Sequence, residues 1–137
     1  MSQYLLDTNI CIHFLKGQYD LAHKIKTVGL SSCYLSEITI AELLYGVENS
    51  AVSQRERNLE NVNQLRMVFS GRTLVIGDCF FEYARQKATL KQMGRHVGEF
   101  DLLIGATALV NGLILVTRNT KDFENLSLIQ LENWIDN

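Results

Sequence analysis

No apolar run in this chain approaches the length needed to cross a membrane. Met1-Ser2-Gln3 lacks the positive charge that opens a secretory signal, so the protein is expected to stay in the cytoplasm, away from any membrane. Cysteine is scarce. Cys11, Cys33 and Cys79 are odd in number, far apart and mostly in apolar surroundings, which fits reduced core thiols better than a disulfide framework or a zinc site. His13, His23 and His96 share no ligand-like spacing. No glycine-rich phosphate loop follows the first apolar run, which excludes a nucleotide-binding module of the Rossmann type. A dominant charge is missing too: 15 acids meet 13 Lys and Arg for a net −2, against the basic balance usual in phosphate binders. Setting aside the four acids considered below leaves 11 against 13, a balance of +2, so total charge neither favours nor excludes a nucleic-acid partner.

What is present suits one domain, 1–137, whose 47% apolar content is enough for a proper core. Tyr4-Leu5-Leu6 reads as a strand running through that core and emerging at Asp7-Thr8-Asn9. In open parallel α/β sheets, ligands bind at the carboxyl ends of the strands, so Asp7 stands where chemistry is done. Helical spacing predicts a short helix over 8–16 stopped by Gly17, and a second over 20–28. A strand follows at 32–35, then a third helix from Ser36 with Ile40, Leu43, Leu44 and Val47 as its apolar stripe. The spacing predicts a solvated helix over 53–69 resting on Leu59, Val62, Leu65 and Phe69, with Arg55, Arg57 and Arg66 outward. A strand at 73–76 precedes a helix capped near Asp78 and running to about Met93, with Phe81, Ala84 and Ala88 inward. Lys87, Lys91, Arg95 and His96 follow on or beyond that helix, and Gly94 and Gly98 bracket a flexible turn, so a basic loop is expected at the rim of the crevice. The helix begun at Asp101 presents Ile104, Gly105 and Ala108, small enough for close packing on a sheet. A continuous apolar run at 113–116 is a buried parallel strand, 128–131 a short edge strand, and Trp134 and Ile135 tie down the tail.

Asp7, Glu42, Asp101 and Asp122 each fall at a predicted strand end or helix start, though they are spread over most of the chain. Each has a plain structural alternative. Asp7 and Asp101 suit helix N-caps, Thr39-x-x-Glu42 matches a capping box, and Asp122 fits a surface loop. If the four converge, their repulsion must be offset, and hard divalent cations with oxygen ligands, Mg²⁺ or Mn²⁺, are the natural answer. The absence of accompanying His or Cys argues against zinc or iron. Such ions activate water and stabilise charge on a phosphate, so phosphodiester hydrolysis is the corresponding chemistry.

The segments LLDTN at 5–9, AELLYG at 41–46, FDLLIGATAL at 100–109 and LVTRNTKDF at 115–123 resemble the PIN domain, specifically VapC toxins of bacterial toxin–antitoxin pairs. The match runs in order across nearly the whole chain. The resemblance implies a three-layer α/β/α fold around a parallel sheet of four or five strands, and a metal-dependent endoribonuclease. It implies Asp7, Glu42 and Asp101 on the metal, with Asp122 as the fourth acid. It further implies Thr8, Asn9, Thr117 and Asn119 as supporting polar residues and Arg118 in phosphate contact. Similar toxins are homodimers held inactive by a VapB-like antitoxin that carries the DNA-binding function. Their substrates are structured RNAs such as a tRNA anticodon stem-loop or a ribosomal RNA loop. One departure from similar proteins is the complete absence of proline, including the turn before Asp101. Two alternatives remain. A haloacid-dehalogenase-type phosphatase needs a second Asp two positions after the first, where this chain has Asn9. A PIN-like module that binds RNA or protein without cutting need not have kept all four acids.

Overall fold

The computed structural model describes residues 2–136. Among them, five parallel strands pair in the order β3-β2-β1-β4-β5: β1 (Tyr4–Leu6), β2 (Cys33–Ser36), β3 (Thr73–Leu74), β4 (Ile114–Val116) and β5 (Leu131–Glu132). Parallel neighbours cannot be joined by tight hairpins and need crossover connections. Six helices provide those linking β1 to β4: α1 (Thr8–Leu15), α2 (Leu21–Val28), α3 (Glu37–Glu48), α4 (Val52–Val68), α5 (Phe80–Gln92) and α6 (Glu99–Val110); β4 reaches β5 through a loop with one 3-10 turn.

Side chains alternate along a strand, so β1 and β4 each feed two cores. Leu6 and Val116 pack with Ile10, Leu21, Ile25, Leu43, Val62 and Leu65 of α1 to α4. Leu5 and Leu115 pack with Leu90, Leu102, Ile104 and Ala108 of α5 and α6 on the opposite face. This is the expected three-layer α/β/α sandwich, with five strands. β1 is central, and the order turns about it: Tyr4 lies opposite Cys33 on one side and Ile114 on the other. The crevice of such a sheet therefore opens at the carboxyl end of β1.

Gly17 takes φ +67° and stops α1 in the left-handed conformation the sequence predicts. Trp134 is buried edge-on against Tyr4, so the tail is tied down as expected. Five expectations need correction. On α4, Leu59 is 41% exposed while Arg55, expected outward, is half-buried with its Nε covered, and the helix rests on Val62 and Leu65, with Phe69 just past its end. Asp78 makes no capping bond and lies in a 3-10 turn (Gly77–Cys79) ahead of α5. The inward face of α5 is Tyr83, Gln86 and Leu90, while Phe81 is 92% exposed. The reason is Gln86, whose Oε1 accepts from Ser127 N at 3.0 Å while its Nε2 donates to Ser127 O at 3.4 Å. That exchange turns the polar Gln86 inward and leaves Phe81, on the opposite side of the helix, in solvent. The same clamp takes up the backbone of Ser127, so the last strand begins only at Leu131. Leu128 is 93% exposed, with φ +68°.

Candidate active site

Asp7 leaves β1 with its N–H still in the ladder, donating to Val116 O at 2.9 Å. Its Oδ1 accepts from Thr8 N at 2.8 Å, which makes it the N-cap of α1, and its Oδ2 accepts from Thr117 Oγ1 at 2.8 Å and Asn9 Nδ2 at 3.2 Å. Capping and a place in the crevice thus belong to one side chain. Asp7 is only 4% exposed. Burial raises its pKa from the ordinary 3.8 to about 6; the bonds from Thr117 and Thr8 pull it down, while the Asp101 and Glu42 charges push it up.

Thr117, at the carboxyl end of β4, is fully buried, and its Oγ1 also receives Asn119 N at 3.1 Å. Asn9 braces the two strand ends: its amide donates to Asp7, and its Oδ1 accepts from Arg118 N at 3.1 Å. Glu42 comes from the middle of α3, because Ser36 is the true N-cap, accepting from Ile38 N at 3.1 Å. The capping-box alternative therefore falls. Glu42 Oε1 instead accepts from Thr8 Oγ1 at 2.6 Å. Since the single hydroxyl proton of Thr8 is spent on Glu42, the 3.0 Å contact between Thr8 and Thr39 has Thr39 as donor. Sequence reasoning missed Thr39 as part of the site. The available signal was its position one turn before Glu42 on the same helix face.

Asp101 sits in the first turn of α6, whose N-cap is Gly98, so it caps nothing. Half-buried, it has its pKa raised by burial first, then by Asp122 and Glu42. Asp7, Glu42 and Asp101 line one cavity of about 230 Å³, together with Thr8, Asn9, Ile12, Asn119 and Phe123. Asp122 stands beside it on an exposed 3-10 turn (Thr120–Asp122), lining the next depression with Arg118, Asn119 and Lys121. The Arg118 side chain is held by Asp136, at 3.1 Å from Nε to Oδ2, and lies over the Tyr19 ring.

No Lys or Arg among the described residues lines the acidic cavity. Its donors are carboxylate, hydroxyl and amide oxygens, the set a hard divalent cation takes. An Asp buried to this degree, facing two further acids, is an uncompensated charge that such a cation would neutralise. Among the described residues no three acid, His or Cys side chains stand close enough to share an ion as they lie, so binding would draw the side chains inward.

The sequence model of the PIN domain matches residues 4–128. A ribonuclease VapC2 of Rickettsia felis is 34% identical, the alignment covering 96% of this chain and 97% of that protein. The tRNA(fMet)-specific endonuclease VapC of Shigella flexneri is 33% identical, with 98% and 99% covered. Among solved structures, a chain of DNA-bound VapBC from Salmonella typhimurium superposes with a TM-score of 0.86 at 31% identity, covering 98% of this chain and 99% of its own. A chain of FitAcB from Neisseria gonorrhoeae gives 0.87 at 28%, with 96% and 98% covered. With the acids at one crevice and these matches spanning almost its entire length, the chain belongs to the PIN domain family, among the VapC proteins.

Proposed function

We propose that this protein is a metal-dependent endoribonuclease, the toxin of a toxin–antitoxin pair, which cleaves a structured RNA and so inhibits translation and growth. The observation that carries the reading is the buried, uncompensated Asp7 carboxylate sharing a cavity with Glu42 and Asp101. Mg²⁺, or Mn²⁺ in its place, would be held by Asp7, Glu42 and Asp101 with Asp122 alongside, and when bound it supplies an activated water and charge stabilisation at phosphorus. Thr117 and Asn9 hold Asp7 in place, and Thr8 holds Glu42. Asn119 lines the same cavity and would support a phosphate bound there. Arg118 contacts a phosphate only after leaving Asp136. The names of the relatives support the ribonuclease class, and the VapBC structures support a VapB-like antitoxin as partner. Contact with operator DNA would pass through that antitoxin, and the working form would be a homodimer.

The test is induced expression of the intact chain beside its Asp7→Asn and Asp101→Asn variants, with mapping of new RNA 5′ ends. Cleavage at one structured RNA by the intact protein, reduced roughly 10²–10³-fold or more in both folded variants, is expected. In vitro, EDTA stops cleavage and added Mg²⁺ or Mn²⁺ restores it. Full activity in both variants, or activity indifferent to chelation, would refute the assignment. RNA binding with metal but no cleavage would favour a non-cutting PIN module.

A further inference from the structure

An acidic cavity repels the phosphates it is to cut, so an RNA substrate must be held by cations outside it. A depression of about 540 Å³ lies between the end of α5 and the loop leading into α6, bordered by Lys87, Lys91, Arg95, His96, Glu99 and Leu102. Lys87 is taken up by Glu99 at 2.5 Å and by the Tyr83 hydroxyl. Lys91, Arg95 and His96 make no ion pair among the described residues and are exposed. The backbone that carries them is held by hydrogen bonds. Gly94 takes φ +68°, its N–H donates to Lys91 O at 3.1 Å, and Arg95 N donates to Leu90 O at 2.9 Å, the paired bonds of a Schellman stop. Buried Leu90 and Val97 pin both ends of the loop into the core below. The helix C-terminus accounts for a cation in its last turn, but not for three basic side chains around one depression. The loop ends at the acids: a Cβ on Gly98 would lie 3.9 Å from Asp101 Oδ2, and Asp101 lines the acidic cavity.

We infer that this depression is a backbone-binding subsite for RNA, where Lys91 and Arg95, with His96, hold phosphates of the strand entering the crevice at Asp101. The inference rests on the ribonuclease reading and adds a second, sequence-independent contact to it. Phosphate contacts do not depend on sequence, so any structured RNA reports on them. The probe is a fluorescein-labelled tRNA anticodon stem-loop, titrated into the non-cleaving Asp7→Asn protein across a KCl series. Adding Lys91→Glu with Arg95→Glu is expected to weaken binding by about tenfold or more and to flatten the log–log salt slope by roughly 1.4 to 2, the loss of two phosphate contacts. Reversing Arg57 and Arg66 on α4, across the sheet, makes the same change in net charge and is expected to have a much smaller effect. The Lys91 and Arg95 side chains are not part of the Schellman bonds, so the doubly reversed protein stays folded at the assay temperature, with a melting temperature lowered only by the unfavourable charge at the end of α5.

Unchanged affinity and slope would overturn the subsite, as would an equal loss from the α4 control, which would mean that only net charge matters. Retained RNA binding with loss of antitoxin inhibition would make the depression a protein-docking site and also overturn it. If the intact protein cuts RNA while the doubly reversed chain cuts it equally well, the subsite fails and the nuclease stands. If the intact protein neither binds nor cuts RNA, both fall.

Discussion

Burial makes the ionised form of Asp7 costly, and the sign of that effect is testable. Its folded pKa of about 6 lies above the ordinary 3.8, so the folded protein binds this proton more tightly than the unfolded chain. Stability from this group is complete below the ordinary value and is lost as pH rises through about 6, a change of up to about 3 kcal/mol. In metal-free buffer at pH near 8, Asp7→Asn should therefore be more stable than the parent to urea, and the difference should vanish near pH 4. An Asn variant no more stable at pH 8 would mean that the buried charge is already compensated. At the same scale, Glu42 depends on the hydroxyl relay from Thr39 through Thr8. Thr39→Val is expected to raise the Mg²⁺ concentration for half-maximal cleavage roughly tenfold, as loss of an orienting partner does, with Thr39→Ser restoring it. A fall in melting temperature with no change in metal requirement would reduce Thr39 to packing.

Among the elements, α6 carries Asp101, and its seating depends on one missing side chain. A Cβ at Gly105 would lie 2.4 Å from Leu126 Cδ1 and 3.5 Å from Phe123 Cδ1, both in the closed core. Gly105→Ala should cost about 1–3 kcal/mol by overpacking, read as a lower urea midpoint with an unchanged slope. No change in midpoint would show that Leu126 has room to rotate away. The sequence marks Gly105 as a close-packing position but points it at a sheet. The structure sets it against the segment after β4, whose course depends on Gln86 meeting Ser127 forty-one residues later in the chain. Apolar periodicity chose Phe81, Ala84 and Ala88 as the inner face of α5 because it counts only apolar residues. A buried amide with two backbone partners outweighs that stripe.

At the scale of the molecule, the five-stranded parallel sheet turns its strand order at β1, which brings Asp7, Thr117 and Glu42 to one edge from opposite ends of the chain. The proposed antitoxin complex has a consequence at this scale. A VapB-like partner that closes the acidic crevice should raise the melting temperature with its concentration and suppress cleavage in proportion, since ligands of the native state stabilise it by mass action. Inhibition without stabilisation would mean that the partner acts on the RNA instead.

Glu42, expected at a helix start, lies in the middle of α3. The sequence by itself determined the alternation of strands and helices, the place of Asp7 at a strand end, of Asp101 at a helix start and of Asp122 in the turn after β4, and the basic loop after α5. Each of these is written in local grammar: an apolar strand followed by an acid, a glycine after a helix, cations around two glycines. Only the tertiary structure decided that Asp7 is buried while Asp122 is exposed, that Glu42 leans on Thr8 and Thr39, and that Arg118 is tied to Asp136 and Tyr19. The physical reason is range. Periodicity and capping report on neighbours within a turn, whereas desolvation, charge coupling and hydroxyl relays depend on residues brought together from 18 to 110 positions apart.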